Sequence, residues 1–373
     1  MTGMTESNNF ISKRIQFFTE SLAEICAHSK VAPGRRLRWI IIANPTAGGF
    51  VIPSRWKKSR KALKETMQAM KANPPRKDCV PAAIAAGYGG VILTEGPGSA
   101  AKTAGLLIKE IENTPFENFY LIITAGGDGT GRDILSAIYR ASGEIKSRLA
   151  VIRLPMGTGN DGADSPDLEK ALELLIKPSH LELMPALRLV TSTGVHNDNF
   201  LAFNILSVGV DAFITHMTNK MKGKLPGDFY KLWVDIASLL YDRLYTVDYL
   251  DITAIDGVGD TIAFREKLLL LAVGVSGHRT YGSQKKILPD SRNVCAIKQM
   301  PLLRKLAIKG HFSTGNHINR PEAVLFNSNR VEISGNHPIL AQMDGETVLL
   351  QREDFPIVIE LTEPAVPVLK PAE

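Results

Sequence analysis

The chain has 373 residues, a net charge of +6, 44% apolar and 22% charged residues, enough for two packed domains and unlike a disordered or collagen-like sequence. Its mild basic balance suits an anionic partner such as a nucleotide or a phospholipid surface, but the Lys and Arg residues are dispersed and no recognition motif stands out, which argues against a nucleic-acid partner. Three scattered cysteines, Cys26, Cys79 and Cys295, have no zinc-ligand spacing and fit a reducing, cytoplasmic setting. No stretch approaches ~20 uninterrupted apolar residues, so a lipid substrate would be met by a protein peripheral to the membrane.

Residues 1–36 read as an N-terminal extension: about ten loose polar residues, then helical spacing at Ile15, Phe18, Leu22 and Ile25. That helix is expected to pack on the first domain, since its polar face is not strongly basic, as a membrane-surface helix requires. Residues 37–43 predict a buried strand that empties into Asn44-Pro45-Thr46-Ala47-Gly48-Gly49, and a helix follows from Ser54 to about Lys71. A loop rich in Pro, Ala and Gly occupies 73–90, followed by a short strand ending at Thr94 and a helix running to Glu112.

The apolar run Tyr120–Thr124 opens into Gly126-Gly127-Asp128-Gly129-Thr130, and helical spacing resumes from Arg132 to Tyr139. A strand that breaks into glycines and then a helix handles phosphate: glycine lets the backbone approach oxygen atoms, and the helix start offers free N–H groups. The pattern is neither a P-loop nor a GxGxxG fingerprint. Asp128 is out of place among phosphates unless a cation or a reacting hydroxyl stands between. A further buried strand, 149–154, runs into Pro155-Met156-Gly157-Thr158-Gly159-Asn160-Asp161, and a helix spans Asp167–Lys177. Gly157 and Gly159 permit the turn, Thr158 and Asn160 offer neutral hydrogen-bonding groups, and Asp161 suits holding the loop or a hydrated metal. Glycine loops at the carboxyl ends of parallel strands lie where open α/β sheets bind ligands.

From about Pro178 the period changes to that of strands, at 181–189, 200–208, 246–255, 260–264 and 268–275, with turns at Thr193-Gly194 and Asp256-Gly257 and a helical insertion at 213–245. This predicts a largely antiparallel second domain, a sandwich. Ser207-Val208-Gly209-Val210-Asp211-Ala212 places Asp211 where a plain helix cap would also fit. Asp344-Gly345-Glu346 sits between two apolar runs, as a hairpin turn would. His311 and His317 flank a loop without ligand spacing.

In order, NPTAG, GGDGT, PMGTGND and DGE resemble the motifs of the diacylglycerol kinase and sphingosine kinase family, which shares GGDGT with NAD kinases. The resemblance covers roughly 37–362. It implies an α/β N-terminal domain with a Rossmann-like parallel sheet, a β-rich antiparallel sandwich, and a C-terminal tail returning to the first domain. The corresponding boundaries are 1–36, 37–165, 166–338 and 339–373. It implies ATP, with magnesium carried on the nucleotide, and a lipid hydroxyl at the membrane surface as acceptor, of diacylglycerol or sphingoid type. By the same resemblance Asn44, Pro45, Thr46, Gly48, Thr94, Gly126, Gly127, Gly129, Thr130, Gly157, Thr158, Asn160, Asp161 and Glu346 contact the nucleotide. Asp211 lies near the acceptor, Asp128 acts through the nucleotide's metal, and Asp344 accepts the hydroxyl proton. Two departures stand out. The Ala-Arg pair expected after Asp161 is missing, and Cys295-Ala296 occupies the place of an Asp-Gly pair, which argues against a structural magnesium. A NAD kinase-like enzyme with a soluble acceptor and an inactive nucleotide- or lipid-binding regulator are the alternatives. Edge strands in the second domain leave room for a homodimer.

Overall fold

The computed structural model describes residues 2–82, 90–96, 98–157, 159–194, 200–221, 239–282 and 285–372. The chain divides into two compact units, Met1–Met184 with Pro364–Glu373, and Pro185–Glu363. The first unit runs α1 (Thr2–Ala27), β1 (Arg36–Ala43), α2 (Gly48–Val51), α3 (Pro53–Met70), β2 (Cys79–Pro81), β3 (Val91–Leu93), α4 (Ser99–Glu112), β4 (Asn118–Gly126), α5 (Asp128–Arg140), α6 (Gly143–Lys146), β5 (Leu149–Pro155), α7 (Leu168–Ile176) and β6 (Ser179–Met184). The second holds β7 (Leu187–Val190), β8 (Leu201–Ala202), β9 (Ile205–Gly209), α8 (Val210–Met221), α9 (Tyr241–Leu244), β10 (Tyr249–Ile255), β11 (Thr261–Gly274), β12 (Arg279–Tyr281), β13 (Lys285–Leu288) and β14 (Val294–Lys298). It continues through α10 (Leu302–Thr314), β15 (Ala323–Phe326), β16 (Arg330–Ser334), β17 (Ile339–Met343), β18 (Glu346–Leu350) and β19 (Ile357–Leu361), and the last strand, β20 (Val366–Pro371), belongs to the first unit.

The first unit's sheet has the order β2-β1-β4-β5-β20-β6, with β3 also against β1. β1, β4 and β5 are parallel, with Ile41 opposite Ile123 and Ile122 opposite Val151. All nine residues of β4 are buried, and such uninterrupted apolar strands are what a sheet covered on both faces requires. From β1 the chain goes to β2 and β3 on one side, then to β4 on the other. The topological switch point therefore lies between the carboxyl ends of β1 and β4, where Asn44 and Gly127 leave the sheet.

Residues 1–36 are not an appendage. Ile15, Phe18, Leu22 and Ile25 of α1 are buried in one core with Leu37, Phe50, Leu63 and Leu172. The helix also starts earlier than expected, at Thr2, its opening turns continuing the hydrogen-bonded ladder of the packed part. The unit boundary falls later than the sequence suggested. The expected strand 181–189 is two strands in different sheets, β6 and β7, parted at Pro185, which has no N–H to continue a ladder. Residues 166–184 thus belong to the first unit.

In the second unit eleven strands form one antiparallel sheet that doubles over through β11. Residues 261–267 of β11 pair with β10, while 270–274 pair with β9 and β14, and the register shifts between Leu268 and Leu270. The two halves face each other across a core in which Ile252, Ile333 and Ile359 meet Val208, Leu271 and Ala341. The strands expected at 260–264 and 268–275 are this single strand. The charged residues between them, Arg265 and Glu266, do not break it because they pair across the surface with Asp251 and Lys298. Asp256 closes the β10–β11 hairpin by accepting from the amides of Val258 and Asp260. Residues 222–238 of the expected helical insertion lie outside the described residues. The tail also differs: β17 to β19 stay in the second unit, and only β20 returns, lying parallel to β5 and antiparallel to β6.

Candidate functional site

Three loops meet at the carboxyl rim of the first unit's sheet. After β1, Asn44 Oδ1 accepts from the amide and hydroxyl of Thr46 (3.0 and 2.8 Å), and its Nδ2 lies 3.5 Å from Thr130 Oγ1 at the start of α5. Pro45 lies within this turn, and Gly48 is buried where α2 begins. The Gly49 amide donates to the Met156 carbonyl (2.8 Å), which ties the first loop to the third. Thr94, at the end of β3, is buried, and its amide donates to the Ala43 carbonyl (2.9 Å).

The second and third loops touch backbone to backbone. A Cβ added to Gly157 would lie 2.6 Å from the Gly127 Cα, so the third loop could not carry a side chain there without parting from the second. Gly126 is equally enclosed, its Cβ position lying 2.7 Å from the Thr130 side chain. Gly129 and Thr130 form the first turn of α5, a helix start without a side-chain cap. Such a start turns its free N–H groups toward the rim. Asp128 Oδ1 accepts from the Gly162 amide (2.9 Å), so this carboxylate fastens the third loop to α5. Its Oδ2 and that of Asp161 lie 3.1 and 2.8 Å from the point where a Gly159 Cβ would stand. Asn160 adopts the left-handed conformation (φ 60°) with Oδ1 against Gly157. Thr158 lies outside the described residues.

Two arginines that sequence reasoning passed over hold this loop. Arg153, inside the apolar run of β5, makes a buried ion pair with Asp164 (2.7 Å, side chains 10% and 5% exposed), and its amide donates to Asp164 Oδ2 (2.6 Å). Arg55 of α3 donates to the Gly157 carbonyl (2.7 Å). A lone arginine in an otherwise apolar strand was the available signal for the first; nothing local marks the second.

The second unit has its own polar centre. Asp344 and Gly345 form the two-residue turn of the β17–β18 hairpin, both left-handed (φ 47° and 99°). The Asp344 carboxylate is 5% exposed and accepts the amides of Phe203, Asn204 and Ile205 (2.5, 3.1 and 3.0 Å). These donors exist because the expected strand 200–208 is broken: β8 ends at Ala202 and β9 starts at Ile205, freeing the amides between. Gln342, fully buried, donates to Ser207 Oγ (2.9 Å) and lies 3.4 Å from Asp211 Oδ2, while its Oε1 accepts the Gly345 amide (3.1 Å). Ser207 Oγ donates to Asp211 (2.7 Å). Asp211, in the first turn of α8, is therefore a member of a network reaching the Asp344 turn, and more than a cap. Glu346 is exposed at the start of β18.

Cys295 is buried in β14, and burial pushes its thiol up to about 12, so it is a core group. His311 and His317 are engaged by protein: Arg320 reaches His311 (2.7 Å), and His317 contacts the Ile287 carbonyl (3.1 Å). Among the described residues no three His, Cys, Asp or Glu side chains gather as a metal cage, and no helix is long and apolar enough to cross a membrane.

A doubly wound sheet with glycine loops at its switch point and an antiparallel sandwich carrying an Asp-Gly-Glu hairpin form a two-domain α/β plus β architecture. The family described as the diacylglycerol kinase catalytic domain matches residues 38–184. The chain is 23% identical over 262 residues to a diacylglycerol kinase of Staphylococcus carnosus, covering 66% of this chain and 76% of that one. It is 23% identical over 253 residues to a diacylglycerol kinase of Bacillus subtilis, covering 66% and 78%. A solved diacylglycerol kinase structure from Bacillus anthracis superposes with a TM-score of 0.51 at 14% identity over 89% of this chain and 96% of that one, a likeness of fold. Residues 38–184 are therefore similar in sequence to the diacylglycerol kinase catalytic domain, and the chain as a whole is similar in fold to solved diacylglycerol kinases.

Proposed function

We propose that the protein binds ATP at the rim of its first unit and moves the γ-phosphoryl group to a hydroxyl of a membrane lipid. The observation that carries this reading is the glycine-on-glycine contact of Gly127 with Gly157 at the switch point. It leaves a side-chain-free backbone surface beside the uncapped start of α5, and such a surface suits a phosphate chain. The residues fit the nucleotide. Gly126, Gly127, Gly129 and Thr130 offer the α5 start to phosphate oxygens, Asn44 and Thr46 border it, and Thr94 and Asn160 supply neutral hydrogen-bonding groups. Pro45, Gly48 and Gly157 complete the loop surface, and Thr158 and Glu346 are assigned to the nucleotide by the motifs they belong to. When bound, ATP with its magnesium supplies the transferable phosphoryl group and neutralises its charge. Asp128 and Asp161, converging at Gly159, would hold that cation's hydration shell.

Asp344 takes the proton. As the acceptor oxygen bonds to the γ-phosphorus, the bond from phosphorus to the β-phosphate oxygen breaks, and the hydroxyl proton passes to the Asp344 carboxylate. Three backbone amides hold that carboxylate and fix its direction. Asp211 would orient the acceptor. Incubation with labelled ATP and vesicles containing diacylglycerol, a sphingoid base, ceramide or phosphatidylglycerol, with NAD in parallel, tests the reading. Label in one lipid is expected. Label in NAD, or label that stays in ATP while the nucleotide binds, overturns it.

A further inference from the structure

We infer that α10 is the element by which the second unit docks on an anionic lipid bilayer, an inference that rests on the lipid-kinase reading and deepens it. Packed amphipathic helices hide their large aliphatic side chains. α10 does the reverse over its first two turns: Leu303 is 80% exposed, Leu306 48% and Leu302 42%. Helical spacing puts Leu303, Leu306 and Ala307 on one outer face. The inner face is well anchored. Ile308 and Phe312 pack with Ile287, Leu288 and Ile297, and Lys305 reaches back to Asp242 (2.5 Å). The leucines are thus exposed on a helix whose opposite face is anchored in the core.

Charge identifies the occupant. Residues 301–320 contain no Asp or Glu, and besides the buried Lys305 paired with Asp242 they carry Arg304, Lys309 and Arg320. The neighbouring Glu322 is held by Arg304 (2.8 Å), whose own side chain stays 67% exposed. Leucines rimmed by cations match the interfacial zone of a bilayer with anionic headgroups: the aliphatic chains enter the acyl boundary and the cations meet phosphates. A second copy of the chain is the poorer match, because a two-fold contact through this face would set the same basic rim against itself. The helix is also linked to the proposed acceptor region. Its core cluster includes Val210 and Tyr281, and the Tyr281 hydroxyl lies 3.0 Å from Thr215 Oγ1 on α8, the helix that carries Asp211.

The test is co-sedimentation of the full chain with vesicles of phosphatidylcholine containing phosphatidylglycerol, and of phosphatidylcholine alone. The wild type is expected to bind the mixed vesicles and to bind the neutral ones weakly. Leu303→Asp should lower binding on the order of tenfold, the worth of burying one leucine side chain. Leu303→Trp should raise it, a gain that misfolding cannot imitate. Arg304→Glu should lower binding to the mixed vesicles only. Phosphorylation of a detergent-dispersed lipid should be unchanged in Leu303→Asp. Equal vesicle binding by wild type and Leu303→Asp overturns the inference and leaves the kinase reading standing. Leucine-dependent vesicle binding without phosphoryl transfer supports the docking helix and removes the kinase reading alone. A change of oligomeric state in Leu303→Asp, with vesicle binding intact, assigns the face to a second copy and also overturns the inference.

Discussion

The two units build their polar centres by opposite means. In the first, the rim is backbone: Gly126 and Gly157 leave no room for a side chain, and charged groups such as Arg153 and Asp164 brace it from beneath. In the second, the centre is side chain: Asp344, Gln342, Ser207 and Asp211 form a buried network that takes up backbone amides freed by a broken strand. A backbone-built site tolerates no added atom. A side-chain-built site tolerates no lost partner. The two therefore break under different substitutions, and the difference can be measured.

The largest effect is expected at Asp344. Asp344→Asn should lower lipid phosphorylation by about 10²–10⁴-fold, the usual share of a general base, while ATP binding to the first unit is kept. Because an amide NH₂ cannot accept, at least one of the three backbone donors loses its partner, and a lower melting temperature should accompany the lost turnover. Phosphoryl-transfer assays and nucleotide titration of one preparation check both; near-normal turnover removes Asp344 from the chemistry. Next is Arg153→Met. Leaving Asp164 buried without its cation should destabilise the first unit by about 3–5 kcal/mol. Asp164→Leu added to it should recover part of that, as read by urea unfolding. Smaller is Gly157→Ala, where one methyl group must force two backbones apart, with about 1–3 kcal/mol expected from overpacking. ATP affinity should fall while the second unit's unfolding is unchanged. An Ala variant that binds ATP normally would show that the contact of Gly127 with Gly157 does not shape the nucleotide surface.

The same contrast decides what could be read from the sequence. Glycine loops after apolar runs announce themselves locally, so the rim around Asn44, Gly127 and Gly157 was legible with its neighbouring strands. The braces were not, since Arg55 and Arg153 act on residues 102 and 11 positions away and leave no periodic trace. In the second unit the Asp344-Gly345 hairpin was visible as a turn, but its partners Phe203 to Ile205 lie about 140 residues earlier. Nothing in the local pattern of 200–208 marks the break that exposes their amides. The single strand β11 was split into two for a related reason: Arg265 and Glu266 look like a loop until their cross-strand partners are known. The exposed leucines of α10 carry the helical spacing that buried leucines also carry, and only the fold shows which face is outward.

The last effect is a pH dependence that side-chain construction allows. His317 is fully buried in the second unit, stacked 4.4 Å from Phe312, and its Nε2 contacts the Ile287 carbonyl. Burial holds its pKa below the ordinary 6.5; the Ile287 carbonyl and the Asp290 carboxylate pull the other way, and burial prevails. With the folded pKa below the unfolded one, the unfolded chain takes up the proton first as pH falls. The stability this group contributes is complete above about pH 6.5 and is lost as pH falls from there through the folded value. The slope from one such group is at most about 1.4 kcal/mol per pH unit. Melting of the wild type and of His317→Gln between pH 7.5 and pH 5 should therefore converge toward acid, with the variant less stable at neutral pH and flatter below about pH 6.5. Parallel pH profiles would mean that the imidazole takes its proton inside the core without strain.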